Sequence, residues 1–311
     1  MNDKYFLIPV DNTPTCNFAL SYVILMFRDD PEATFHLIHC QPQLSESILP
    51  QPLDSDESLL PDKIIGLSET NKARRLINTK AEFFKNNEID SKRITSSVIS
   101  TGNNVAQSLI SEAEKMLIDS LVLARRGVGF IGEMVMGSLS ATLFRDLHTI
   151  PLWIIDGKVR YQDILIAVDG SRHSLRAVDH LAHVLKNRKD ITIYLYHCAA
   201  FLAPAVICSL DSFYREWDYD WCNKYLSGKG CLFNGPVQLL LEAGIPHERI
   251  VILPETTNIE ESTSIISQAK KHNCGTILIG RKGPGSQKGF FGGVSNRTIR
   301  QTQNMAVWIV G

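Results

Sequence analysis

The chain has 311 residues, of which 44% are hydrophobic and 21% charged, with a net charge of −1. That length suits about two domains of ~150 residues, and the composition is ordinary for globular protein. A near-neutral chain carries no global field that would draw it to nucleic acid or to an anionic membrane surface, and the longest apolar runs, Phe18 to Phe27 and Ala199 to Leu210, are too short to span a bilayer.

Tyr5 to Asp11 reads as a buried strand ending in an acid, and the N-terminal residues before it do not read as a signal peptide. A helix over Phe18–Phe27 and a strand over Thr34–Cys40 follow. Gln41 to Asp62 is rich in Pro, Ser and Asp and reads as a loop. Helical spacing of Ala73, Leu76, Ile77, Ala81 and Phe84 predicts a helix over 71–86. A strand over Arg93–Ile99, a helix over Asn104–Leu117, and strands over Ser120–Ala124 and Leu152–Ile155 complete the first half.

After a polar junction, Asp156 to Gln162, the pattern restarts. Asp163 to Asp169 matches the first strand, with Asp169 placed 158 residues after Asp11 (169 − 11). A helix over Ser174–Leu185, strands over Ile191–Cys198 and Arg249–Leu253, a helix over Ile259–Lys271, and strands over Gly275–Ile279 and Val307–Val310 complete the second copy. Strands alternating with helices predict parallel sheets covered on both faces, with ligands beyond the carboxyl ends of the strands. Each copy has a Gly-rich stretch there, between a buried strand and a helix start, and Gly283 follows Gly127 by 156 residues (283 − 127). Glycines let backbone approach closely, and the first N–H groups of a helix favour an anion.

Other patterns are weaker. Gly127 to Gly132 is literally GxGxxG, but it follows a fourth strand instead of opening a first βαβ unit, so it is not a dinucleotide fingerprint, and no P-loop motif is present. His39-Cys40 and His197-Cys198 recur 158 residues apart, but adjacent strand residues face opposite ways and cannot share a metal. They read as structural, with the histidines close to any bound base. Seven cysteines, an odd number with no CxxC, predict reduced thiols and not a disulfide framework. Asp11 and Asp169 could be plain turn caps. Arg125, Arg126, Arg281, Lys282 and Lys288 are either surface charge or anion contacts. The aromatic stretch 199–221 reads as core packing, a lid or a ligand groove.

The paired elements resemble the universal stress protein family in tandem form. In that family a strand ends in Val-Asp-Gly-Ser, as Val168-Asp169-Gly170-Ser171 does here, and a late loop reads Gly-x2-Gly-x9-Gly-Ser/Thr followed by Val-Ser. The resemblance implies an α/β fold of two similar doubly wound, mainly parallel five-stranded sheets, Rossmann-like or flavodoxin-like. The domains would span 1–156 and 160–311, with the last strands, carrying Trp153 and Trp308, joined in an intramolecular pseudo-dimer. It also implies binding of ATP, or of ADP or AMP, with Mg²⁺. Asp169, Gly280, Gly283, Gly292 and Ser295 would form the second-half site, and Asp11, Gly127, Gly137, Ser138 and Ser140 the first-half site. Both depart from the pattern. Ala124 replaces the first glycine of the first copy, and in the second either Gly293 or Val294, depending on the count, stands where a hydroxyl is usual. The reading that follows is a cytoplasmic stress-response module, acting through conformation, a protein partner or self-association, with no nucleic-acid or membrane partner and at most slow ATP hydrolysis. A nucleotide-free interaction protein or small-ligand binder is the alternative, and a slow nucleotide hydrolase comes third.

Overall fold

The computed structural model describes residues 4–42, 61–102, 104–125, 137–201, 206, 208–281 and 293–311. The first half runs β1 (Lys4–Pro9), α1 (Cys16–Phe27), β2 (Ala33–Pro42), α2 (Pro61–Lys85), β3 (Ile94–Thr101), α3 (Val105–Lys115), β4 (Ser120–Ala124), α4 (Ser138–Asp146) and β5 (Leu152–Ile155). The second runs β6 (Ile164–Ala167), α5 (Arg172–Leu185), β7 (Ile193–Tyr196), β8 (Cys198–Ala200), α6 (Tyr219–Leu226), α7 (Asn234–Glu242), β9 (Ile250–Ile252), β10 (Thr256–Asn258), α8 (Glu261–Lys271), β11 (Thr276–Gly280), α9 (Val294–Gln301) and β12 (Ala306–Val310).

Ten of these strands form one sheet in the order β3-β2-β1-β4-β5-β12-β11-β6-β7-β9. Each half contributes five parallel strands in the same order, third-second-first-fourth-fifth, and the halves meet where β5 and β12 pair antiparallel. Alternate residues along each strand serve opposite faces. Phe6, Ile8, Trp153, Ile166 and Leu278 pack with α1, α2, α5, α6 and α7, while Leu7, Leu121, Ile154, Leu165 and Ile277 pack with α3, α4, α8 and α9. Strands buried on both faces are near-continuous apolar runs, which is why they were readable.

The central pair closes two edges that would otherwise be open to aggregation. Trp153 and Trp308 sit opposite each other, fully buried, with ring centroids 3.7 Å apart and planes 1° from parallel. Each half then reaches across. The Tyr22 hydroxyl on α1 meets Thr276 Oγ1 of β11 at 2.7 Å, and His180 on α5 meets Ser120 Oγ of β4 at 3.3 Å. Tyr22 and His180 are 158 residues apart and therefore occupy the same place in the two copies. The Trp153 indole N–H donates to His180 Nε2 at 3.3 Å, which requires a neutral imidazole, and burial holds His180 well below its ordinary pKa.

Several elements differ from the sequence reading. α2 begins at Pro61, ten residues before the predicted start at 71, so the predicted loop reaches it directly; residues 43–60 lie outside the described residues. The strand expected over Ile191–Cys198 stops at Tyr196. Its partner β9 ends at Ile252, opposite Leu195, and Cys198 starts the separate ladder of β8 with β10; His197 Nδ1 bonds the Val168 carbonyl at 2.7 Å, as His39 does with Val10 in the unbroken β2. Cys208 and Cys231 are joined in a disulfide, against the expectation of reduced thiols throughout. Packing of α6 and α7 over α5 brings together two residues whose 23-residue spacing carries no signal. The aromatic stretch is largely core: Phe213 is 1% exposed, and Tyr214, Trp217 and Trp221 pack against the same cluster.

Candidate functional site

In a sheet of this order the chain leaves β1 toward β2 on one side and reaches β4 on the other. A crevice therefore opens beyond the carboxyl ends of β1 and β4. In the first half that crevice is a cavity of about 180 Å³, lined by Asp11 and Thr13 after β1, Thr15 and Cys16 at the start of α1, and Ile38, His39 and Cys40 on β2. Val105 and Leu109 of α3, Leu123 and Ala124 of β4, and Gly137, Leu139 and Ser140 at the start of α4 complete the wall. An apolar cavity of roughly 150 Å³ already admits an aromatic ring.

Asp11 accepts hydrogen bonds from both the backbone N–H of Thr13, at 2.9 Å, and its hydroxyl, and so shapes the turn into α1. His39 Nδ1 bonds the Val10 carbonyl at 2.8 Å, holding the ends of β1 and β2 together. α4 has Gly137 at its N-cap, with no side-chain cap among the described residues, and Ser140, 3% exposed, stands in the first turn. Burial raises the Cys16 thiol and pushes Cys40 up to about 11, so both are protonated at neutral pH and neither is a nucleophile or a thiolate ligand. Among the described residues no group of three His, Cys, Asp or Glu side chains is arranged to hold a metal.

Of the residues nominated for the first half, the structure brings Asp11, Gly137 and Ser140 to one cavity. Ser138 begins α4 without lining it, and Gly127 lies outside the described residues, as does the whole GxGxxG stretch. Thr13, Thr15, Ile38 and Leu123 were not singled out from the sequence as site residues. Ala124, which looked like a defect in the glycine pattern, is a wall residue.

The second half is arranged differently. Asp169 is exposed, and its carboxylate accepts the Ser171 N–H at 3.0 Å, while Ser171 caps α5 by accepting the Ser174 N–H at 3.2 Å. β11 ends beside β6, so Asp169 and Gly280 lie at neighbouring strand ends. A methyl group at Gly280 would overlap the backbone of His173 and Ser174, so this glycine is demanded by the first turn of α5 lying directly on β11. Gly293 is the N-cap of α9, Val294 and Ser295 open it, and Gly283 and Gly292 lie outside the described residues.

Two arginines nominated as anion contacts have another task. Arg125 binds Asp156, with Nε 3.0 Å from Oδ1, and donates across the seam to the Ile299 and Thr302 carbonyls at the end of α9. Arg281 donates to the Phe144 and Leu147 carbonyls at the end of α4, and lies 2.8 Å from His148 Nδ1. Ile299 and Thr302 each follow Phe144 and Leu147 by 155 residues, so the two clasps are equivalent. A cation satisfying the last carbonyls of a helix suits the helix dipole. Both side chains are buried, and burial lowers Arg281 to about 10, still charged at neutral pH. Arg126, Lys282 and Lys288 lie outside the described residues.

The universal stress protein family model matches the chain twice, over residues 4–155 and 160–310. A universal stress protein from Archaeoglobus fulgidus is 17% identical over 98% of this chain and 97% of its own, with a TM-score of 0.66. A functionally unknown protein from Pseudomonas aeruginosa is 13% identical over 99% of this chain and 92% of its own, with a TM-score of 0.53. A universal stress protein family protein from Arabidopsis thaliana, with AMP bound, is 13% identical over 49% of this chain and 90% of its own, with a TM-score of 0.31. At these identities the likeness is one of fold. No curated protein matches the chain. No helix among the described residues is long and apolar enough to cross a membrane.

Proposed function

The chain belongs to the universal stress protein family, and we propose that it is an adenine-nucleotide-binding module whose working site is the cavity of the first half. The observation that carries this reading is the cavity at the switch point, where an acid, a glycine-led helix start and a buried serine converge on an apolar recess. In this reading the base lies against Ile38, Val105 and Leu109. Asp11 accepts a ribose hydroxyl, and phosphate rests on Gly137, the first N–H groups of α4 and the Ser140 hydroxyl, with Ser138 at the margin. ATP, with Mg²⁺ on its phosphates, ADP and AMP are the ligands to try. The equivalent second-half set, Asp169, Gly280, Gly283, Gly292, Gly293, Val294 and Ser295, is a second candidate site that the same experiment addresses.

Such a protein acts by ordering on binding and by presenting the ordered form to a partner, in the cytoplasm, with hydrolysis slow or absent. The test is thermal unfolding with and without ATP, ADP and AMP. A ligand at about 100 times its Kd stabilises the folded state by ~2.7 kcal/mol, and Asp11→Ala should remove most of the resulting rise in Tm. A Tm unmoved by any of the three, in protein shown free of carried-over nucleotide, contradicts the reading and favours the nucleotide-free interaction protein.

A further inference from the structure

We propose that Cys208 and Cys231 form a reversible thiol–disulfide switch that clamps the strand-end turn Asp169–Ser171 of the second half. Their Cα atoms lie 5.9 Å apart, well inside the range a disulfide spans. The loop closed by this bond, with its ends 23 positions apart in sequence, contains the 3-10 turn Leu210–Ser212 and α6.

What makes the pair more than a staple is what it touches. Gly170 has φ +72°, a left-handed conformation, and a methyl group there would come within 2.9 Å of Cys231 Sγ and 2.6 Å of Val206 Cγ1. The turn that carries Asp169 therefore lies directly under the sulfur, and a change in the sulfur's position is a change in the turn's roof. The two sulfurs are also unequal. Cys231 is 2% exposed, whereas Cys208 is half-buried. The backbone N–H of Cys231 donates to Cys208 Sγ at 3.3 Å, a contact that also favours a thiolate there. The loop between them is held independently by Phe213, Cys222 and Leu226, all at most 1% exposed, and by the Arg176–Glu216 ion pair to α5. Opening the bond thus releases the Cys208 end and the roof over Gly170 without unpacking α6.

The chemistry needs one co-reactant, a low-molecular-weight thiol with its disulfide, such as glutathione. Its thiolate attacks Cys208 Sγ, the S–S bond breaks, and the electron pair leaves on Cys231 Sγ, which takes up a proton. A second thiolate attacks the small-molecule sulfur of the mixed disulfide and displaces Cys208, which is protonated in turn. Two thiols are oxidised to one disulfide as the protein disulfide is reduced to two thiols, and the reverse sequence closes the clamp. In a reducing compartment a disulfide is transient and redox-sensing, whereas the other five cysteines stay free. None of this depends on a nucleotide being bound.

The experiment equilibrates the full chain in buffers of graded reduced-to-oxidised glutathione ratio, traps thiols with isotopically distinct alkylating reagents, and follows hydrogen exchange of peptides covering 165–175. Cys208 and Cys231 should convert together across the series while Cys16, Cys40, Cys198, Cys222 and Cys274 remain thiols. Amides of the turn should exchange about tenfold more slowly in the oxidised protein. Cys208→Ser should show the fast exchange at every ratio; because the wild type is compared with itself, the result does not hang on that variant folding well. Free thiols at the oxidising end, a bond that resists excess dithiothreitol in the folded protein, or equal exchange of the turn in both states would each overturn the proposal.

Discussion

The two halves share a strand order and a seam, but they treat the carboxyl ends of their strands in opposite ways. In the first half Ala124 ends β4 and a cavity of about 180 Å³ separates β1 and β4 from the starts of α1 and α4. In the second, Gly280 ends β11 and the backbone of His173 occupies the place a side chain would take. The strand-end turn of the second half is roofed by Cys231 and Val206, whereas the first-half turn at Asp11 opens into the cavity. The contrast teaches that a glycine in a phosphate-loop pattern can be held in place by helix packing alone. The copy that departs from the pattern at that position has a recess among the described residues.

The comparison presumes that the seam is common to both halves, and its removal should have the largest effect. Trp308→Ala deletes a fully buried ring stacked on Trp153 and should cost about 3–5 kcal/mol. Trp153→Ala should cost as much, read from chemical denaturation at a fixed protein concentration. A loss below 1 kcal/mol in either would mean that the halves do not depend on that stack.

Next in size is the difference at the fourth strand of each half. Gly280→Ala must push α5 off β11 and should cost ~1–3 kcal/mol. The reverse change at the equivalent position, Ala124→Gly, removes a methyl from a cavity wall and should cost only about 0.5–1 kcal/mol. Equal costs would erase the distinction drawn between the two sites.

A smaller effect separates the copies by pH. Tyr22 and His180 hold equivalent places, but only His180 has an ordinary pKa, 6.5, near the physiological range, and burial lowers it in the folded protein. A base whose pKa is depressed by folding stays neutral while the unfolded chain takes up a proton, so stability falls as pH drops below about 6.5 and keeps falling until the folded pKa is reached. His180→Gln retains an acceptor for the Trp153 indole without a titrating group, and should lessen the loss of stability between pH 6.5 and 4.5; His36, His148 and His173, whose pKa values burial also lowers, keep the remainder. Asp119 does not confuse this window: burial works against its charged form, but the His183 and Tyr5 N–H bonds outweigh it and lower its pKa below 3.8, so its contribution is lost only in stronger acid. An unchanged slope in His180→Gln would assign the acid sensitivity elsewhere.

Much of the architecture was legible because buried parallel strands are written as unbroken apolar runs. Ser120–Ala124 and Leu152–Ile155 were bounded correctly to the residue, and the paired tryptophans pointed to the seam. The start of α2 was not, since Pro61 to Thr70 sits behind a polar loop and carries little apolar periodicity. The break before Cys198 depends on where the partner strand β9 ends, at Ile252, a distant segment that no local propensity reports. At the site, Asp11, Gly137 and Ser140 were found because the copies repeat them. Arg125 and Arg281 were misjudged because their partners lie in the other half, and a basic residue beside a Gly-rich loop looks the same whether it faces an anion or a helix end. The Cys208–Cys231 bond and the packing of Gly280 on His173 are likewise contacts between distant segments, invisible to spacing.

The most direct test of the central claim is the number and location of bound nucleotides, measured by calorimetric titration of the purified, nucleotide-stripped chain. The account predicts about one adenine nucleotide per chain, with binding lost when Ala124→Phe fills the first-half cavity and retained in Ser295→Trp, the corresponding block in the second half. Binding that survives Ala124→Phe and disappears in Ser295→Trp would place the working site in the second half and contradict the account.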